Sequence, residues 1–139
     1  MSNNTQMNTA VSAALALALA DAHALTWPAD QKCGRQGDVL IQRLDPADPR
    51  LDQAAMLSRT RRVDRVIARG SRAAHVASEE ATVYEDPEGS LVVSTKPWAL
   101  VHRDSPGDRH HPHVMPAGAY LCTQQRELTA SGLEQQVAD

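Results

Sequence analysis

From Gly34 onward, turn-forming sequences interrupt the chain at intervals of roughly 8–15 residues, the spacing of an all-β domain. Gly34–Gly37, Asp45-Pro-Ala-Asp-Pro49, Gly70, Asp86-Pro-Glu-Gly89 and Val114-Met-Pro-Ala-Gly118 supply the Gly, Pro and Asp that turns require. Strand formers fill the gaps, at 38–44, 63–68, 75–84, 90–95, 98–102 and 119–127. Pro97 marks an edge or a bend. Segment 50–62 fits either a short helix or a long exposed hairpin arm. The pattern predicts a mainly β fold, a compact small barrel, β-roll or sandwich of about six strands.

A different pattern precedes it. Ala10–Ala24 reads AVSAALALALADAHA, alanine and leucine with no lysine or arginine. These residues favour helix, Asn8 or Thr9 can cap it, and Trp27-Pro28 ends it. The predicted organisation is a flexible N-terminus over 1–8, an apolar α-helix over 9–26, one β domain over 33–128 and a polar tail over 129–139. The tail is expected to form a short helix or run free. Apolar all round, the helix should lie buried across a sheet or against a neighbouring subunit. The stretch resembles the apolar part of an export signal, but residues 1–9 carry no positive charge and the stretch is too short to span a bilayer. The expected location is the cytoplasm, or the inside of an assembled particle, with no membrane partner.

Of 139 residues, 42% are hydrophobic and 22% charged, which suits one globular domain. There is no Phe, and only two Trp and two Tyr are present. Each aromatic therefore carries a large share of burial, and Trp27, Trp98 and Tyr120 join Leu15, Leu17 and Leu19 as expected core or interface anchors. Cys33 and Cys122 stand far apart, outside any CxxC spacing, and read as free thiols in a reducing compartment.

Two clusters could carry chemistry. Four of the six histidines (His102, His110, His111 and His113) fall between 102 and 113. In an extended 111–113 segment, His111 and His113 point to one side, so His102, His111 and His113, with His75 as a fourth ligand, could hold a divalent metal. Against this, there is no HExxH or CxxC, Pro112 restricts the geometry, and the loop is rich in solvent-compatible charge. The second cluster is Arg59, Arg61, Arg62, Arg65, Arg69 and Arg72, with Asp64 the single acid among them. Such a stripe suits phosphates, though no aromatic interleaves with it; alternatively it pairs with Glu79-Glu80 and Glu85–Glu88. The net charge of −3 argues against general nucleic-acid affinity. No serine sits in a nucleophile elbow, and no glycine-rich phosphate loop is present.

One resemblance emerges along the chain. It is carried by Gly37-Asp38-Val39-Leu40, Gly70 with His75, and Ala81-Thr82-Val83-Tyr84-Glu85. Ala99-Leu100-Val101-His102, Pro116-Ala117-Gly118-Ala119-Tyr120 and Gln125-Arg126-Glu127 complete it. This succession resembles a set of small uncharacterised bacterial β-rich proteins with a GDV, GxxxGHxH, LxH, PxGxY, QRE pattern, over roughly residues 37–127. The sequence departs from that pattern at Ala77, where a histidine is expected, and at Arg103 and Asp104, where acids are expected. A His/Glu metal centre in that set would be degraded here, with His110, His111 and His113 left to compensate. The resemblance implies a shared β fold and no particular reaction.

The leading expectation is a non-enzymatic, self-assembling structural or interaction protein that forms a homo-oligomer, with a phage-like particle as one concrete setting. The alternatives are a cupin-like divalent-metal site built on the histidines and a nucleic-acid-associated protein using the arginines.

Overall fold

The computed structural model describes residues 10–69, 74–103, 111–128 and 134–136. The expected flexible start over 1–8, the turn at Gly70, and the ligand or contact roles of His110 and Arg72 fall outside the described residues.

The chain opens with helix α1 (Ala13–Ala20), then strands β1 (Leu25–Thr26), β2 (Cys33–Gln36) and β3 (Val39–Arg43). A 3-10 turn (Pro49–Leu51) and helix α2 (Gln53–Leu57) follow. Next come β4 (Val66–Arg69), β5 (Ala74–Ala77), β6 (Thr82–Asp86), β7 (Gly89–Ser94), β8 (Trp98–Arg103), β9 (His113–Met115) and β10 (Gly118–Gln124). One five-stranded sheet runs β1-β9-β8-β5-β4 and the other β2-β3-β10-β7-β6. They stack as an open sandwich rather than closing into a barrel. All pairings are antiparallel except β1 on β9.

More strands form than the sequence suggested, because runs read as continuous are cut. The 75–84 run splits at Ser78–Ala81, where the Ala81 N–H donates to the Ser78 carbonyl at 3.1 Å and the chain crosses from the first sheet to the second. The 63–68 run becomes strand only from Val66, after Arg65 takes a left-handed φ of 54°. Segment 50–62 holds the 3-10 turn and α2 instead of a hairpin arm. Of the tail, β12 (Glu134–Gln136) is described; it pairs with β11 (Arg126–Leu128), so these three residues are neither helix nor free.

Strand alternation sends one set of side chains between the sheets. Val39, Ile41, Val92, Tyr120 and Cys122 from the second sheet meet Trp98, Leu100 and Met115 from the first. Trp98 and Tyr120 are fully buried with rings 5.4 Å apart, and Trp27 packs edge-on to Tyr120 at 5.8 Å. Full burial of each large side chain contributes roughly 1.5–3 kcal/mol, so this aromatic trio is a main anchor of a core without phenylalanine.

Helix α1 lies on the outer face of the first sheet, where Leu15 and Ala18 pack on Ala99, Val114 and Val101. It is shorter than the expected 9–26. Ser12 caps its start by accepting from the Leu15 N–H at 3.2 Å, and the chain is extended again at Leu25, where it pairs with β9. Its burial is also one-sided: Leu17 and Leu19 are 73% and 58% exposed. Among the described residues, no helix is long and apolar enough to cross a membrane.

Candidate functional site

Among the described residues, a dense polar cluster lies inside the sandwich. It begins at the β2–β3 hairpin, where Gly37 and Asp38 form a two-residue turn between paired Gln36 and Val39. Gly37 takes a φ of 56°, the left-handed value that favours glycine at the first position of such a turn. The turn leaves Gln36 and Asp38 each 2% exposed. In the first sheet, His75 of β5 is registered directly opposite His102 of β8. Cross-strand partners share a face, and the two rings meet edge-to-face at 4.6 Å.

These residues form one network. His75 Nδ1 lies 2.9 Å from Gln36 Oε1, and His75 Nε2 lies 3.0 Å from Asp38 Oδ1. Gln124 Nε2, on β10, donates to Asp38 Oδ2 at 2.7 Å. Gln36 Nε2 donates to the carbonyls of Leu100 at 2.9 Å and His111 at 3.0 Å. Both amide protons of Gln36 are thereby committed, so its oxygen is an acceptor toward His75 and Nδ1 carries a proton. The Nε2–Asp38 contact then shares a second proton, either as imidazolium against carboxylate or as neutral imidazole against carboxylic acid. Both forms satisfy the buried groups, which an isolated charge in this position would not.

A second histidine is held differently. Trp27 Nε1 donates to His113 Nδ1 at 3.0 Å. Burial, opposed by a backbone hydrogen bond with Arg35 and reinforced by the nearby His75, lowers the His113 pKa to about 4. His113 is therefore a neutral acceptor that orients Trp27.

The four histidines expected to hold a metal are thus divided. His75 and His102 are together, with both His75 ring nitrogens engaged by Gln36 and Asp38. His113 is bonded to Trp27, and exposed His111 stands beside His23, ring centroids 5.1 Å apart. Among the described residues, no group of three or more His, Cys, Asp or Glu is placed to hold a metal ion. A cleft of about 270 Å³ beside α1 is lined by Leu17, Val101, His102 and His111.

The arginines are divided as well. Arg59 pairs with Asp86 at 3.0 Å, and Arg62 donates to the Val66 carbonyl at 2.6 Å. Arg61 is exposed and Arg65 partly so, while the side chains of Arg69 and Arg72 fall outside the described residues. The groove that Arg61 and Arg62 line also contains Asp64 and Glu85, so its charge is mixed. Cys33 is exposed; Cys122 is buried, and burial pushes its thiol up to about 12. That thiol is protonated and inert at neutral pH.

The sequence singles out His75 and His102 but not Gln36, Asp38 or Gln124 as site residues. A signal for Asp38 was present, since the GDV, GH and LxH elements of the resemblance supply Asp38, His75 and His102. The sandwich brings these three together. Chemically, the network is a proton-bearing cross-link between the sheets. His75 and the Asp38 carboxylate are completely enclosed, so a substrate would have no direct approach to them.

The family model described as a domain of unknown function, DUF8820, matches residues 35–125. No curated protein and no solved structure matches the chain significantly. The matched span runs from just before the Gln36–Asp38 turn to just after Gln124, and so contains the whole buried network.

Proposed function

We propose, for a chain that belongs to the DUF8820 family, a non-enzymatic role as a self-associating interaction module whose contact surface is helix α1. The observation that carries this reading is the outward face of that helix. Ala13, Ala16, Leu17 and Ala20 are exposed at i, i+3, i+4 and i+7, one continuous stripe. Leu19 and Val11 are also exposed, and residues 10–20 contain no charged side chain.

A second copy of the same helix is the occupant this surface fits. The stripe sets one leucine among three alanines, so the leucine of one copy can seat over the alanines of the other around a two-fold axis. Without charge, it offers nothing to discriminate a differently charged partner. The enclosure of His75 and Asp38 supports a non-enzymatic role, because the most elaborate polar cluster is committed to joining the sheets.

Sedimentation equilibrium over the micromolar range tests the reading. The wild-type chain is expected to dimerise, and Leu17→Glu with Leu19→Glu to be monomeric at unchanged thermal stability, because both side chains are already exposed. A wild-type chain that stays monomeric throughout would overturn it.

A further inference from the structure

On the far side of the sandwich from α1, the segment between β3 and β4 folds back over the outer face of the second sheet. Its two short helical turns bury no residue completely. Arg50 ties it to Glu88 at 2.6 Å, and Arg59 ties it to Asp86 at 3.0 Å, both beside the β6–β7 turn. Beneath it lies a cavity of about 550 Å³. Leu44, Val93 and Ala119 contribute from the sheet side, and Leu51 and Met56 from the lid. Leu44, Leu51, Met56 and Val93 are only partly buried. An apolar occupant would complete the burial of their cavity-facing surfaces.

Among the described residues, the charged ones that line the cavity are both cations, Lys32 and Arg43. Arg43 is fixed in place: it donates to the Ala29 carbonyl at 2.6 Å and the Ala117 carbonyl at 3.1 Å, and its guanidinium lies 5.9 Å from the Tyr120 ring centre. Two carboxylates of the lid, Asp48 and Asp52, line a different cleft. The cavity thus combines an apolar interior, a preorganised positive charge and a size within the roughly 300–1,000 Å³ of small-molecule sites.

We infer that this cavity binds a small amphiphilic anion, an apolar chain or ring ending in one carboxylate, with the apolar body between lid and sheet and the carboxylate at Lys32 and Arg43. Charge complementarity selects the anion, and the leucine, valine and methionine lining selects the apolar body. Methionine suits this task because its unbranched side chain adapts to occupants of different shape. The site is independent of α1 and of the helix-mediated association proposed above.

Isothermal titration of the full chain with decanoate, and with decanol as its uncharged counterpart, tests the inference. Decanoate is expected to bind once per chain, at least roughly tenfold more tightly than decanol. Lys32→Glu, an exposed change, should weaken decanoate at least roughly fivefold and leave decanol unaffected. Val93→Trp and, separately, Met56→Trp should fill the cavity and abolish binding, with near-ultraviolet circular dichroism identifying which variant keeps its fold. The inference is overturned by equal binding of acid and alcohol, by the absence of saturable binding below about 1 mM, by binding that survives a folded cavity-filling variant, or by uptake of many ligands per chain.

Discussion

Asp38 and His75 stand 3.0 Å apart with both side chains at zero exposure, one on the hairpin of the second sheet and the other on an inner strand of the first. Their contact spans the two layers, and Gln36 and Gln124 complete it. Removing one partner would strand the other's polar group in the interior. Asp38→Ala should therefore destabilise the fold by about 3–5 kcal/mol. Asp38→Asn, which keeps an acceptor and nearly the same shape, should cost less. Urea denaturation of the three proteins checks the order, and equal stability of Asp38→Ala and wild type would remove the network from the account.

Acid should unfold the protein earlier than its carboxylates alone would cause. His113 has its pKa lowered to about 4 in the folded chain against an ordinary 6.5. Between these values the unfolded chain binds a proton that the folded chain refuses, so this contribution is present above about pH 6.5 and is lost as pH falls toward 4. The shift corresponds to about 3 kcal/mol. Glu80 and Asp86, both held below the ordinary carboxylate range, add losses in the same direction at lower pH. Denaturation midpoints between pH 7 and 4 should fall steeply in the wild type and less steeply in His113→Gln. Parallel curves would contradict the assignment.

The β character of the chain was legible because turn residues and β-branched runs are local signals. Trp98 and Tyr120 stood out for a similar reason, since a chain without phenylalanine has few large groups to place inside. The Asp38–His75 pairing was not legible. Asp38 follows a glycine in a turn, where aspartate is normally a surface residue, and only the stacking of two sheets makes that turn interior. The split at Ser78–Ala81 was hidden because Ser78-Glu79-Glu80-Ala81, though poor in strand formers, holds no Gly or Pro to mark where the chain changes sheets. The one-sidedness of α1 was also hidden: a sequence apolar all round carries no signal for which face meets the sheet.

Helix α1 is attached at its start by a single carboxylate. Glu80 accepts from the Ser12 N–H at 2.6 Å and from the Ser12 hydroxyl at 2.7 Å, while Ser12 itself caps the helix. Partial burial pushes the Glu80 pKa up, but the Ser12 hydrogen bonds outweigh it and hold the group ionised. Ser12→Ala should cost about 1 kcal/mol, the usual loss of a serine cap. Glu80→Ala should speed hydrogen exchange in Ala13–Ala20 at least roughly tenfold while the amides of β7 and β10 keep their protection, because sheet and helix open separately. Equal acceleration in helix and sheets would show that α1 is part of the cooperative core.

The arginines divide by what they touch. Arg59 is 13% exposed at its side chain and faces Asp86, which is 3% exposed; it also donates to the Arg50 carbonyl at 3.1 Å. Arg61 is exposed. Replacing Arg59 by alanine leaves a buried carboxylate without its cation and should destabilise the protein by about 1–3 kcal/mol. Arg61→Ala should stay within about 0.5 kcal/mol of wild type. If the stripe bound nucleic acid, both changes would instead weaken the affinity for a single-stranded oligonucleotide, and the affinity itself would fall with salt. The expected outcome is a stability loss confined to Arg59→Ala, with no salt-dependent oligonucleotide binding by fluorescence anisotropy in either variant or in the wild type. Such a result would assign Arg59 to holding the lid over the second sheet. Salt-dependent binding reduced equally in both variants would assign it to phosphate contact.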